Sequence, residues 1–393
     1  MSKFKNFYQG IFSIKNNNDR KVIIFLGIKL KLKNKKYYAE TEKAIKIQDN
    51  YNLLKLINAE KIILFFIPNK FKMAGGIMSI FSLCEYSRHI NNDCSCLIAT
   101  HPGKVTYAKN EEFNNSEQIY RWEQIVKNAK NVKELMIHIP EYYAKDFYSD
   151  LSKDEIEFLK SVESLHLNIM NQNIELMPKL DNLKKLYKLT SNITQTIAHD
   201  RYATQEVCDK WQMPTHLFSC QLRLSPEVFS KKVKEKIILY SPDKNKHKDE
   251  FITSLKNKLS AYEFIEINNL TFEEFQELVS RSFVTISFGE GFDGYFILPP
   301  LLGSLGLAVY NDNFFPDNSW INLQNVFSSY DEMKQNTAEL IKTLENNQDE
   351  YCKLVELNKE KHNELYGEEK FKSNLERFYK KKYDFLPVSG GEK

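Results

Sequence analysis

The chain has 393 residues, 42% of them hydrophobic and 27% charged, and its formal net charge is +3. This length predicts two domains or three small ones, with enough apolar residues for two cores. The small net charge argues against a protein that binds nucleic acid over much of its surface. The chain has no run of about 18 apolar residues, so no membrane-spanning helix is predicted. The N-terminal residues lack the apolar region of a secretory signal, so a cytoplasmic protein is expected.

Cysteine usage predicts reduced, buried thiols. The chain has six cysteines, and only Cys94 and Cys96 are close in sequence, inside an alternating apolar strand. That spacing fits neither a zinc knuckle nor a disulfide framework. Free thiols of a cytosolic protein are therefore expected.

Residues 1–36 form a basic segment with ten Lys or Arg and a single acidic residue, Asp19. Apolar runs at 11–14 and 22–33 predict two strands around a turn at 16–19, and the second strand ends in alternating apolar residues and lysines. Such a cationic element suits the anionic headgroups of a membrane surface. The alternative is a solvated edge strand whose lysines prevent aggregation.

Two series of alternating strands and helices follow. A helix is predicted over 37–58, and the first series has strands at 61–67, 96–99, 132–139, 162–170, 188–190 and 216–218. A polar connection at 222–234 separates it from the second series, with strands at 236–240, 263–267, 283–288, 307–310 and 325–327. A long charged helical tail ends the chain.

This pattern predicts an α/β fold of two Rossmann-like domains that face a cleft. The predicted boundaries are a basic N-terminal extension at 1–58, a first Rossmann-like domain at 59–222 and a second at 223–367. A C-terminal helix that crosses back to the first domain, with a disordered end, is expected at 368–393.

The segment 287–310 is the most informative part of the sequence. It predicts a strand, a tight turn through Gly289 and Gly291, a helix and a second strand. The two glycines allow backbone to approach a ligand closely, and a helix start offers free N–H groups to an anion. Glu290 then lies at the carboxyl end of a strand, where open α/β sheets bind ligands. The alternative is an ordinary buried strand–helix unit with a glycine turn.

The run Glu290-Gly291-Phe292, with Pro299-Pro300 and the glycines after them, resembles the EGF…PP…G…AV signature of retaining glycosyltransferases with the GT-B fold, the family-4-like group. In that family the first Glu of an E-x7-E pair contacts the donor sugar or its ribose. About four extra residues, 293–296, are expected between the two parts of the signature, and Leu302 is expected in place of the second Glu. The segment 1–36 also resembles a leader of bacterial capsule and lipooligosaccharide transferases.

The resemblance implies a nucleotide-sugar donor, a glycan or lipid-linked acceptor, and neither metal nor cofactor. The chain contains no Asp-x-Asp, the metal-binding motif of GT-A enzymes. GT-B enzymes neutralise the leaving diphosphate with basic side chains and helix dipoles. The loop at 241–248 lacks the family's arginine, so Lys244, Lys246 or Lys248 is expected to bind the diphosphate. The alternative is a hydrated basic turn.

The remaining site residues are also assigned from the resemblance. Catalytic roles fall to Glu290, as a binder and electrostatic stabiliser, and to His199, whose loop resembles one that faces the donor sugar. Donor contacts are expected from Gly75, Gly76, Gly289, Gly291, Phe292 and Arg201. Acceptor contacts are expected from Asn171 and Asn173, whose amides suit sugar hydroxyls. Each has a structural alternative: a tight turn for the glycines, a satisfied structural histidine, a strand exit for the asparagines.

The sequence therefore predicts a metal-independent, retaining glycosyltransferase that moves a sugar from a nucleotide-sugar to a capsule, lipopolysaccharide or lipooligosaccharide acceptor. It is expected in the cytoplasm, on the inner face of the cytoplasmic membrane as a peripheral protein. Two alternatives stay open. One is a non-catalytic scaffold that binds nucleotide or glycan, favoured by Leu302 and the missing arginine. The other is a sugar-nucleotide epimerase, which needs acid and base carboxylates in the cleft that the sequence does not identify.

Overall fold

The computed structural model describes residues 12–17, 20–25, 28–49, 51, 53–68, 75–102, 118–219, 221, 224, 234–268 and 270–388. The first of these form a three-stranded antiparallel sheet of β1 (Phe12–Asn17), β2 (Arg20–Phe25) and β3 (Ile28–Lys33). The single strand predicted over 22–33 is thus wrong, because the chain reverses between β2 and β3. Helices α1 (Lys35–Asp49) and α2 (Leu54–Ile57) follow, in place of the one helix predicted over 37–58.

The first large domain is built on a seven-stranded parallel sheet in the order β10-β9-β8-β7-β4-β5-β6. Its strands are β4 (Lys61–Ile67), β5 (Ser95–Thr100), β6 (Ile119–Arg121), β7 (Glu134–Pro140), β8 (Ser164–Asn171), β9 (Ile193–Ile197) and β10 (Thr215–Leu217). Its helices are α3 (Gly75–Ile90), α4 (Trp122–Asn128), α5 (Glu141–Asp150), α6 (Lys153–Ser161), α7 (Leu180–Leu183) and α8 (Gln205–Trp211). The strand predicted at 188–190 is wrong. A 3-10 turn occupies Leu186–Lys188, and the β-branched run that begins at Ile193 forms β9 instead.

The second large domain has a five-stranded parallel sheet in the order β12-β11-β13-β14-β15. Its strands are β11 (Ile237–Tyr240), β12 (Glu263–Glu266), β13 (Val284–Ile286), β14 (Leu305–Val309) and β15 (Val326–Phe327). Its helices are α9 (Lys248–Lys258), α10 (Phe272–Arg281), α11 (Gly294–Leu301), α12 (Tyr330–Asn346) and α13 (Gln348–Tyr366). The two parallel sheets confirm the predicted α/β fold of two Rossmann-like domains with a helical C-terminal tail.

The last helix, α14 (Glu368–Tyr379), leaves the second domain and packs on the first. Its Phe371, Leu375 and Phe378 are fully buried in the apolar cluster that includes residues of β4 and α3. Gly367 separates α13 from α14, and a Cβ at this position would lie 2.5 Å from the carbonyl oxygen of Asn363. The predicted boundary at 222/223 falls outside the described residues and stays a prediction.

Other sequence predictions concern membranes and thiols. No helix within the described ranges is long and apolar enough to cross a membrane. Cys84, Cys94, Cys96, Cys208 and Cys352 are free thiols, whereas Cys220 lies outside the described residues. The disorder predicted for the chain end concerns residues 389–393, which are also outside them.

Helix α11 packs against β14 at a distance that only glycine allows. A Cβ at Gly306 would lie 2.2 Å from the carbonyl oxygen of Phe296. At Gly294, in the first turn of the same helix, a Cβ would make an ordinary contact of 3.6 Å with Leu298. The close approach fixes α11, and with it the turn that precedes the helix.

Alanine at these two glycines is expected to have opposite effects. Gly306→Ala should lower the free energy of unfolding by about 1–3 kcal/mol or more, because the backbone must move apart. Gly294→Ala should raise it by about 0.5–1 kcal/mol, because alanine is the better helix former. Urea unfolding of both variants measures this. Equal effects would contradict the packing at Gly306.

Candidate active site

The turn after β13 brings Glu290 to the carboxyl edge of the second domain's sheet. Gly291 has a φ of +84°, and a Cβ on it would lie 2.6 Å from the carbonyl oxygen of Val309, so glycine is required there. Asp293 ends the turn, and its Oδ1 accepts a hydrogen bond from the backbone N–H of Tyr295 at 2.8 Å, which caps α11. Glu290 is exposed at this edge.

Two further carboxylates lie beside this turn. A Cβ at Gly289 would be 2.9 Å from Oδ2 of Asp243 and 3.1 Å from Oδ2 of Asp293, so these two oxygens are at most about 6 Å apart. Asp243 comes from the loop after β11, and the Ser287 hydroxyl donates to Asp293 Oδ2 at 2.6 Å. We call Asp243, Glu290 and Asp293 the carboxylate cluster.

Burial and mutual repulsion make the cluster bind protons more tightly. Burial raises the pKa of Asp293 to about 7, and the negative charges of Asp243 and Glu290 raise it further. The hydrogen bonds from Ser287 and Tyr295 favour the ionised carboxylate and lower the pKa, but by less. The Glu290 side chain has accessible surface, but the surrounding protein partly desolvates its carboxylate. This desolvation raises the pKa of Glu290, helped by the charges of Asp243 and of Glu175 in the first domain. Near neutral pH, part of the Asp293 population is therefore protonated, and the carboxyl can donate or accept a proton.

Helix α11 begins directly after its cap at Asp293, so it includes most of the segment between the glycine turn and Pro299. Leu302, expected in place of the second Glu, is buried in an apolar cluster with Leu298, the residue eight positions after Glu290. The E-x7-E position thus holds no carboxylate, and Asp243 and Asp293 are the carboxylates beside Glu290.

The three predicted diphosphate lysines are placed differently from one another. Lys248 is buried, and its ammonium donates to the carbonyl oxygen of Ser241 at 2.8 Å and pairs with Glu266, so it is held within the fold. Lys244 and Lys246 are exposed, and no ion pair to either is present among the described residues. Of the three, Lys244 and Lys246 are the cations free to meet an anion.

Phe292 lies in the core and not at the cleft surface. Its ring contacts those of Phe315 and Trp320 at centroid distances of 5.2 and 5.0 Å. The side chain therefore fixes the turn from below and offers no donor contact in this arrangement.

His199 and Arg201 lie where the two domains meet. The His199 ring meets that of Phe314 edge-on at 6.3 Å. Burial lowers the pKa of His199, and this outweighs a hydrogen bond with the backbone of Gln172, which raises it. The imidazole is therefore neutral at neutral pH. Arg201 donates to the carbonyl oxygen of Phe315 at 3.3 Å, which makes it a bridge between the domains.

Two more contacts join the domains at this mouth of the cleft. The Tyr202 hydroxyl donates to the carbonyl oxygen of Asn313 at 2.8 Å, and the Asn313 amide lies 3.5 Å from Glu175 Oε1. These loops leave the carboxyl ends of both sheets. The cleft therefore runs between those edges.

The first domain presents amides at its edge of the cleft. Asn171 is buried, and neither its amide oxygen nor its amide nitrogen has a hydrogen-bond partner in the described part of the chain. Asn173 instead uses its side-chain oxygen to accept from the backbone N–H of Glu175 at 2.9 Å. Gln172 donates to the carbonyl oxygen of Gly76 at 3.2 Å, whereas a Cβ at Gly75 would meet open space.

The structure thus brings Glu290, Gly289 and Gly291 together on one side and His199, Asn171 and Gly76 on the other. Sequence reasoning missed Asp243 and Asp293. Their signals were present. Asp243 lies three residues after a buried strand, and Asp293 stands one residue before a helix start, where Asp is a preferred cap. Among the described residues, no group of three or more His, Cys, Asp or Glu is arranged to hold a metal ion.

Comparisons with known proteins give similarity at the level of the fold. No family model matches the chain, and no curated protein matches it. Sucrose-phosphate synthase from Thermosynechococcus elongatus is 10% identical, with 82% of this chain and 98% of that chain covered and a TM-score of 0.49. A UDP-N-acetylglucosamine 2-epimerase from Listeria monocytogenes, described as putative, is 9% identical over 76% and 91% of the two chains, with a TM-score of 0.46. The T4 phage β-glucosyltransferase is 10% identical over 82% and 99%, with a TM-score of 0.45. The fold assignment itself rests on the two parallel sheets.

Replacing Asp293 by Asn is expected to stabilise the protein at high pH. The raised pKa means that the folded state binds this proton more tightly than the unfolded state, so the carboxyl lowers stability as pH rises from about 4 to about 7. Asn keeps an oxygen for the helix cap without the charge. Asp293→Asn should therefore stabilise the protein on the order of 2 kcal/mol more at pH 8 than at pH 5.

The measurement is urea unfolding from pH 5 to pH 8.5. Asp317→Asn is the matched control, because Asp317 is an exposed cap that accepts from Ser319 N–H at 2.7 Å. A gain that is independent of pH, or one that the control shares, would contradict the raised pKa.

Proposed function

We propose that the protein is a glycosyltransferase that moves a sugar from a nucleotide-sugar donor to a glycan acceptor. The observation that carries the proposal is the carboxylate cluster on the glycine turn at the carboxyl edge of the second domain's sheet. Open parallel sheets bind ligands at this edge. Carboxylates accept hydrogen bonds from sugar hydroxyls, and the exposed Lys244 and Lys246 in the same loop as Asp243 suit a diphosphate.

In this proposal the reaction exchanges one bond at the anomeric carbon of the donor sugar. The bond to the diphosphate oxygen breaks, the bond to an acceptor hydroxyl oxygen forms, and the hydroxyl proton leaves with the diphosphate. Lys244 and Lys246 neutralise the leaving charge without metal, and Glu290 holds the sugar and stabilises positive charge that develops on it. The proposed retention of anomeric configuration is supported by the resemblance of the Glu290 turn to retaining enzymes.

The acceptor is proposed to bind the first domain's side of the cleft, with Asn171 as the amide that meets its hydroxyls. Both polar atoms of this buried side chain lack protein partners within the described residues, which makes a polar ligand or water at this point favourable. His199, neutral and between the domains, is proposed to contact the donor sugar. A capsule or lipopolysaccharide-type acceptor is supported by the resemblance of the basic N-terminal segment to the leaders of such transferases.

A second candidate, a sugar-nucleotide epimerase, is favoured by one specific observation. Asp293 has a pKa of about 7 and lies beside two other carboxylates, so the cleft contains groups that can remove and return a proton. Incubation with nucleotide-sugars in the absence of acceptor separates the two. A new sugar epimer with the diphosphate bond intact indicates epimerisation, whereas transfer needs an acceptor and releases nucleoside diphosphate.

The donor proposal is tested with thermal shifts in UDP, GDP, CMP, dTDP and their sugars. A ligand at about 100 times its dissociation constant should add about 2.7 kcal/mol of stability. Glu290→Gln should keep the stabilisation that the nucleotide gives and lose the additional stabilisation that the sugar gives. It should also lower the rate of diphosphate release by about 10²–10³-fold. A chelator should change neither binding nor release.

Glu339→Gln is the matched control, because Glu339 is exposed on α12 with no part in the cleft. If no nucleotide stabilises the protein, the donor site at Glu290 is wrong. If nucleotide binds but no transfer or epimerisation occurs, a binding scaffold replaces the enzyme.

A further inference from the structure

The three-stranded N-terminal sheet has two chemically different faces. Directly paired residues of an antiparallel sheet share a face. The register pairs Lys15 with Val22 and Val22 with Lys31, pairs Arg20 with Lys33, and pairs Ile24 with Lys29. One face therefore has five basic register positions and no acidic one. We call it the basic face.

The opposite face is mostly apolar. The register places on it Phe12, Ile14, Ile23, Phe25, Ile28, Leu30 and Leu32, with Lys21 and Asn16 at one end. Leu32 is 50% exposed, so the rest of the protein does not cover this face at that point. Apolar register positions that run together along one face favour a partner that is itself apolar there.

Exposed apolar side chains continue beyond the sheet into the two helices that follow. Among the residues between 32 and 57 whose side chains the structure describes, five large apolar ones are exposed, Leu32, Tyr38, Ile47, Leu54 and Ile57. Lys31, Lys33, Lys35, Lys36 and Lys43 are exposed in the same stretch. Basic and apolar exposed groups thus occur together here.

Helix α1, which follows the three-stranded sheet, is fixed to the first domain. Gln48, near the end of α1, donates to the carbonyl oxygen of Ile119 in β6 at 2.6 Å, and Arg121 pairs with Asp49 at 2.6 Å. Strand β6 is at the edge of the seven-stranded sheet. A partner that binds at α1 is therefore held beside the domain proposed to take the acceptor.

We propose that β1–β3 and α1 dock the protein on an anionic lipid bilayer. An amphipathic element with a basic polar face lies in the plane of the interface, with apolar residues in the acyl boundary and cations among the headgroups. An anionic bilayer attracts these basic residues, whereas a second copy of this chain would bring two basic segments together and repel. The charge therefore favours the bilayer as the partner. The inference is independent of the donor site, since vesicle binding needs no sugar nucleotide.

Co-sedimentation of the full chain with vesicles tests this. The vesicles are phosphatidylcholine alone, or phosphatidylcholine with about one third phosphatidylglycerol, at low and high salt. The wild type should bind the anionic vesicles and not the neutral ones. Replacing Lys29, Lys31 and Lys33 by Gln should lower the affinity on the order of 100-fold, from the typical contribution of a basic residue near an anionic surface.

Two controls make the test specific. Replacing Lys145, Lys153 and Lys160 by Gln removes the same charge from exposed sites on α5 and α6 and should leave binding unchanged. Leu32→Glu should weaken the part of the binding that persists at high salt. Thermal unfolding checks that each variant is folded.

Several results would overturn the proposal. These are equal binding to neutral vesicles, an equal loss in the control triple variant, or binding to RNA that competes fully with the vesicles. A concentration-dependent dimer that Leu32→Glu abolishes, without vesicle binding by the wild type, would assign the apolar face to a second copy.

Discussion

The packing of α14 on the first domain is the contact on which the two-domain arrangement depends. Helix α13 belongs to the core of the second domain through Tyr351 and Leu354, and α14 buries Phe371, Leu375 and Phe378 in the first. Burial of each such side chain contributes about 1.5–3 kcal/mol. The polar bridges at the cleft mouth, such as Arg201 to Asp312, are partly exposed and contribute about 0–1 kcal/mol each. The crossing helix therefore holds the domains together, and the mouth can open without breaking that attachment.

The edge geometry of the parallel sheets explains why the candidate site is where it is. Every strand of both sheets releases the chain at its carboxyl end, so loops distant in sequence meet at one edge. Asp243 after β11 and Glu290 after β13 become neighbours because these two strands pair. The close packing at Gly306 and the buried Phe292 fix the turn from beneath, which leaves Glu290 exposed. Rigid packing below and an accessible carboxylate above are what a pre-organised binding site requires.

In the proposed mechanism, the negative and positive side chains of the cleft have different roles and lie at different positions. Carboxylates lie at the glycine turn, and exposed lysines occupy the next positions of the Asp243 loop. Burial keeps Asp293 partly protonated, which reduces repulsion between the cluster and an anionic donor. Arg201 and Lys248, both expected from sequence to bind the donor, make contacts within the protein. The first joins the domains, and the second supports the loop from below.

The sequence alone determined most of the elements and the position of Glu290 at the carboxyl edge of the second domain's sheet. Alternating apolar strands and helices predicted both parallel sheets, and the glycine turn placed Glu290 correctly, because periodicity and turn chemistry are local properties. The sequence could not show that Lys248 is buried while Lys244 is exposed, because the carboxylate that pairs with Lys248, Glu266, comes from another strand. It could not show that Phe292 is core, or that Asp243 and Asp293 approach each other, because those facts depend on strand order. The sequence also could not show that β2 and β3 are separate strands. The two faces of the N-terminal sheet therefore follow only from the antiparallel register of those strands.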